Sequence, residues 1–111
     1  MRSWYPLPVE ALDDKRLLAE HNELLIMARA IAGLTKGYRN HPETKRWVGH
    51  SKAMKDRHDR LAAEMVRRGF NHQSPWPEEL INPADGDDYP TTLLEPLEVM
   101  KAKLQAKQGL A

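Results

Sequence analysis

Glu23, in the stretch "RLLAEHNELL" at residues 16 to 25, is the acid whose surroundings point to chemistry. On a helical wheel it lies beside Ala19, Ile26, Met27 and Ala30, with Arg16 and Glu20 at the margin. That face is small and apolar, unlike a lysine-rich solvated one. The second reactive group is the α-amine of Met1, about a dozen residues before the helix. Its reference pKa of about 7.7 to 8.0, against about 10.4 for lysine, leaves a nucleophilic fraction near pH 7. An amine adding to C1′ of a deoxyribose forms an imine, and a carboxylate beside it stabilises the cationic sugar and moves protons. An extended leader "MRSWYPLPVEA" reaches back to Glu23, since extended chain spans about 3.3 Å per residue. An ordinary helix-surface acid is the plainer reading of Glu23, and residue types alone leave both open.

Other chemistries lack their residues. His21, His41, His50, His58 and His72 show no compact metal spacing such as H-E-x-x-H, so neither metal nor cofactor is expected. The chain has no cysteine, no Gly-rich phosphate loop and no G-x-S-x-G elbow.

The elements that must position Glu23 are helical. A first helix is predicted from an Asp13 or Asp14 cap to Gly33, with Leu17, His21, Leu24, Ala28 and Ile31 on one stripe, widened by Leu18, Leu25 and Ala32. Glu23 then lies about 150° from the middle of that arc. A short helix enters through Pro42 and closes at Gly49. A second long helix spans about Ser51 to Arg68, with Met54, His58, Leu61 and Met65 as its stripe, His58 a core histidine and Gly69 the stop. Residues 71 to 92, dense in Pro, Gly, Asn and Asp, read as a long irregular loop with Trp76 pinned on the core. A last helix runs from near Pro96 to before Gly109. The expected fold is all-α: one compact domain over residues 1–111, of three main helices plus a short one. Glu20 is expected to be structural, holding Arg16 at i and i+4, and Trp47 to pack.

With 41% apolar and 30% charged residues and no long apolar run, the chain reads as a soluble cytoplasmic protein without a membrane span or secretory leader. Its net charge of +1 conceals segregation. Residues 36 to 68 carry ten Lys or Arg against four acids, whereas residues 69 to 100 carry seven acids and no Lys or Arg. A basic stripe is the footprint of a phosphate-binding surface, although two amphipathic helices with solvated faces give a similar count.

"DDKRLLAEHNELL" resembles the catalytic helix of the pyrimidine dimer DNA glycosylase family, the phage endonuclease V group, with its pattern D-x-x-L-x-A-E-x-x-E-L. The likeness continues through "GYRNHP", "RW", "GH" and "EMVRRGFNH", covering roughly residues 1 to 75. It implies a compact helical, metal-free glycosylase with an associated lyase activity. In that family the N-terminal α-amine attacks C1′ of the damaged nucleotide and β-elimination cuts the strand. Glu23 falls on the family's catalytic glutamate, and the small-residue face around it leaves space for a sugar.

The departures are specific. Arg2 disfavours removal of the initiator methionine, which makes the α-amine of Met1 the implied nucleophile. Asn22 and Ile26 replace two family arginines, so Arg16 and the basic segment would supply the missing phosphate contacts. The phage enzymes end in a basic, aromatic segment, whereas this chain has an acidic loop and a lysine-bearing helix. The implied partner is damaged duplex DNA, bound by a monomer. Contacts are expected from Arg2, Arg16 and Asn22, and from Lys36, Tyr38, Arg39, Asn40, His41, Lys45, Arg46, His50 and Lys52. His21 is read as structural or DNA-contacting without preference. A non-catalytic DNA-binding module, or an enzyme of the same fold acting on another modified base or nucleotide, remains the alternative.

Overall fold

The computed structural model describes residues 2–71, 75–77, 80 and 88–109. Asp13 opens the first helix, α1 (Asp14–Ile31), its side chain accepting from Arg16 N at 2.9 Å. The helix stops because Gly33 turns left-handed at φ 80°. There Gly33 N donates to Ala30 O and Leu34 N to Arg29 O, the paired bonds of a Schellman ending. A short helix, α2 (Pro42–Arg46), follows, with His41 as cap and Pro42 at its first turn. Helix α3 (Ser51–Arg67) ends in the same way as α1, at Gly69 with φ 91°. Helix α4 (Leu97–Lys107) closes the described chain. Among the described residues the structure is helical without strands, the all-α domain expected.

Helices α1 and α3 form the central pair. Leu17, Leu24, Met27 and Ala28 of α1 meet Ala53, Met54, Leu61 and Met65 of α3, with Trp47 beyond α2 and with Met100 and Leu104 of α4 completing the core. Burying one such side chain contributes about 1.5–3 kcal/mol, which fixes the face each helix turns inward. His58 is 1% exposed and packs against the His21 ring at 4.6 Å between centroids, so both histidines are interior. Trp76 packs edge-on against His58 at 5.5 Å.

Two expectations are corrected. The leader is not an extended arm: Trp4, Leu7, Val9 and Leu12 are buried, and residues Val9–Ala11 form a 3-10 turn. Their indole and aliphatic side chains add a wall to the core on one flank of α1. The buried arc of α1 therefore swings toward that flank, taking in Glu20, Met27 and Ala30, while Leu18 at 42% and Ala32 are exposed. As a result Glu23, partly buried, stands at the edge of the buried face rather than behind it.

Candidate active site

The leader's return to α1 is organised by Glu20. This carboxylate, 1% exposed, accepts from Arg57 Nε at 2.7 Å and Arg57 Nη2 at 3.1 Å. It also accepts from Ser3 Oγ at 2.9 Å and Trp4 N at 2.8 Å. Arg57 Nη1 donates to Leu7 O at 2.8 Å, so one buried ion pair fixes the leader at both ends. The expected Glu20–Arg16 pairing is replaced: Arg16 Nη1 lies 3.6 Å from Asp13 Oδ2, because the interior offers Glu20 four charge-assisted or backbone donors.

One turn along α1, Glu23 Oε2 accepts from the backbone N of Arg2 at 2.8 Å. Arg2 itself is spread flat: its guanidinium carbon sits 4.4 Å over the Trp4 ring and its Nη1 donates to Glu95 Oε1 at 2.7 Å. Around these groups lies an open cleft of about 410 Å³, lined by Arg2, Trp4, Lys15, Arg16, Ala19, Glu23 and Lys107. Lys15, Ala19 and Glu23 follow one i, i+4, i+8 ridge of α1, and the small side chain of Ala19 leaves the groove open. A single carboxylate among the cations that line the cleft suits a reaction that builds positive charge on a substrate held by its phosphates.

The expected site residues divide. The structure brings Arg2, Arg16 and Glu23 together. Met1 lies outside the described residues, as does His72. Asn22, Lys36, Tyr38, Arg39, Asn40, Lys45 and Lys52 are exposed, but none lines the cleft. Tyr38 takes a left-handed backbone at φ 64°, and its exposed ring stands edge-on to the His41 ring at 6.4 Å. His41 uses Nδ1 to cap α2, accepting from Glu43 N at 3.1 Å. His50 Nδ1 donates to Asp88 O at 2.7 Å.

Arg46 is a correction. It is 5% exposed, its Nη1 donates to Glu43 Oε1 at 2.9 Å and its Nη2 donates to Tyr5 O. Such a guanidinium is part of the interior. Burial pushes the Glu43 carboxyl above its ordinary value, against the pull of Arg46 and of the Trp47 indole N–H, which donates at 3.2 Å. Lys15 and Lys107 are cleft residues that sequence reasoning missed. The helical ridge from Lys15 to Glu23 was a readable signal, whereas Lys107 arrives from α4 through tertiary packing alone.

A family model for pyrimidine dimer DNA glycosylase matches residues 1–78. The chain belongs to the pyrimidine dimer DNA glycosylase family. The matched span of this glycosylase holds the leader, α1, α2 and α3, and with them Glu23, Glu20 and Arg57; Glu95 and α4 lie beyond it. Searches of curated proteins and of solved structures found no match. Membership makes it a DNA repair glycosylase with DNA as its substrate. Among the described residues no helix is long and apolar enough to cross a membrane, and no group of three His, Asp or Glu is placed to hold a metal ion.

Proposed function

We propose that the protein removes a damaged base from duplex DNA and then cuts the strand, with the α-amine of Met1 as nucleophile and Glu23 as the catalytic carboxylate. The amine nitrogen forms a bond to C1′ as the glycosidic bond breaks, and the departing base takes the bonding pair and a proton. Loss of a proton from nitrogen and opening of the sugar ring, O4′ becoming a hydroxyl, leave a protonated imine. Glu23 stabilises that cation, and removal of a C2′ proton expels the 3′ phosphate by β-elimination.

One observation carries this reading: Arg2 N bonds to Glu23 Oε2 at 2.8 Å. The residue bearing the amine is therefore one peptide unit, about 3.8 Å between Cα atoms, from a residue tied to the carboxylate. The cations of the cleft suit the phosphates flanking the reacting sugar, and a flipped or unstacked nucleotide, at a cost of a few kcal/mol that damage lowers, would expose C1′ to them. The substrate class is a duplex carrying a pyrimidine dimer, another altered base or an abasic site.

The test is a panel of damaged duplexes incubated with the protein and borohydride. A covalent adduct mapping to the Met1 peptide, lost on blocking the α-amine, is the expected outcome. An adduct on Lys15 or Lys36, or full activity with a blocked terminus, overturns the mechanism.

A further inference from the structure

The region beyond the family match contributes to the cleft. Glu95 lies just before α4, its side chain 12% exposed, and its two oxygens are divided between two cations: Oε1 takes Arg2 Nη1 at 2.7 Å and Oε2 takes Lys103 Nζ at 2.5 Å. Lys103 stands on α4, which is seated in the core through Met100 and Leu104. Glu95, at the entry to α4, thus ties the Arg2 side chain to a segment seated in the core, and the Arg2 backbone N meets Glu23.

Arg2 has two anions within its compass. Its backbone is bonded to Glu23, and its side chain lines the same cleft. A released guanidinium would pair with the Glu23 carboxylate or with a DNA phosphate, and either contact would pull residue 2 out of register. Glu95 from one side and the Trp4 ring from the other prevent that. Lys103 and Arg2 also hold the Glu95 carboxyl below its ordinary value, so the clamp stays charged at neutral pH.

We propose that Glu95 is a positioning residue for the reaction: by fixing the Arg2 side chain against Trp4 it keeps the Arg2 backbone on Glu23, one peptide unit from the amine that the proposed mechanism uses. This rests on the glycosylase reading above. It assigns the C-terminal segment the task of holding the nucleophile's end of the chain. Displacing a reacting group by about 1 Å costs up to about a hundredfold in rate, so the clamp acts on the chemical step rather than on DNA binding.

The experiment compares Glu95→Gln, Glu95→Asp and Lys103→Met with wild type, reading single-turnover borohydride trapping on an abasic duplex, duplex Kd, melting temperature and the Arg2 amide resonance. Glu95→Gln is expected to slow trapping roughly ten- to a hundredfold. Its Kd should stay unchanged or tighten, because a negative charge is gone and Arg2 is freed toward phosphate. Its Arg2 amide resonance should move. Glu95→Asp should recover part of the rate, and Lys103→Met, which keeps the Arg2–Glu95 bond, should trap near the wild-type rate whatever it loses in melting temperature. Wild-type trapping in Glu95→Gln with an unmoved Arg2 amide overturns the proposal. So does an equal loss of rate in Lys103→Met, which would make the effect one of fold stability. A wild-type protein that traps nothing sinks the amine-nucleophile mechanism and this proposal with it, whereas a trapping wild type with an indifferent Glu95→Gln sinks this proposal alone.

Discussion

Arg57 of α3 grips both oxygens of Glu20 on α1, and the same carboxylate holds Ser3 and Trp4 of the leader. The central helix pair and the segment that carries the amino terminus are thereby fastened by one buried charge pair.

Glu20→Gln should be costly to the fold. It leaves the Arg57 guanidinium buried without its counter-ion, and breaking such a pair from one side costs about 3–5 kcal/mol. Denaturant unfolding measures it. A loss no larger than the ~1 kcal/mol of an average substitution would mean that the pair is not holding the leader.

Glu23→Gln should separate fold from chemistry. The amide oxygen can still accept from Arg2 N, so helical circular dichroism and melting temperature should stay close to wild type. Strand cleavage and adduct trapping should fall by at least about a hundredfold, since a neutral amide neither moves a proton nor stabilises a sugar cation. A folded variant with wild-type activity would return Glu23 to the role of a leader anchor.

The basic segment should divide by burial. Replacing exposed Arg39 or Lys45 by Gln should flatten the dependence of log affinity on log salt by about one unit for each phosphate no longer neutralised. Arg46→Gln should instead lower stability by about 3–5 kcal/mol, because it strands buried Glu43, while leaving the salt slope intact. Binding curves across a salt series, set beside denaturation curves, distinguish the two. A salt slope flattened by Arg46→Gln would put that side chain on the DNA.

The acid limb of stability should depend on Glu64. Hydrogen bonds from Arg67 and Arg68 hold its carboxyl down from the usual 4.5 to about 2. Because the folded value lies below the free one, the contribution is complete above 4.5 and is lost as pH falls through about 2. Glu64→Gln should remove that part of the pH dependence, giving a shallower fall in stability over this window. Parallel acid-unfolding curves for wild type and variant would contradict the assignment.

The helices were legible because their signals are local. The Asp13 cap, the Gly33 and Gly69 stops and the period of Leu17, Leu24, Leu61 and Met65 all lie within a few residues of what they determine. What covers each face was not, and that decided the roles of several charged residues. Glu20 looked like a surface partner for Arg16 until Trp4 and Ser3 closed over it. Arg46 looked like one of many cations in a basic run, yet the i, i+3 spacing to Glu43 and the neighbouring Trp47 were the readable marks of an interior pair. Lys107 reaches the cleft, and Glu95 reaches Arg2, across nearly the whole length of the chain, contacts that no periodicity encodes.

Gln108, at the end of α4, takes Asp13 N at 2.7 Å on its side-chain oxygen and donates from its amide nitrogen to Ala11 O at 3.2 Å. With Arg2 bonded to Glu95, the last described turn of the chain is fastened to the first. Domains emerge from the ribosome amino end first, so Arg2 and Asp13 must wait for partners synthesised about ninety positions later. Bringing such distant segments together pays its closure entropy before the contacts return anything. The cleft, lined by Arg2 from one end of the described chain and Lys107 from the other, is therefore complete only once those two segments have met.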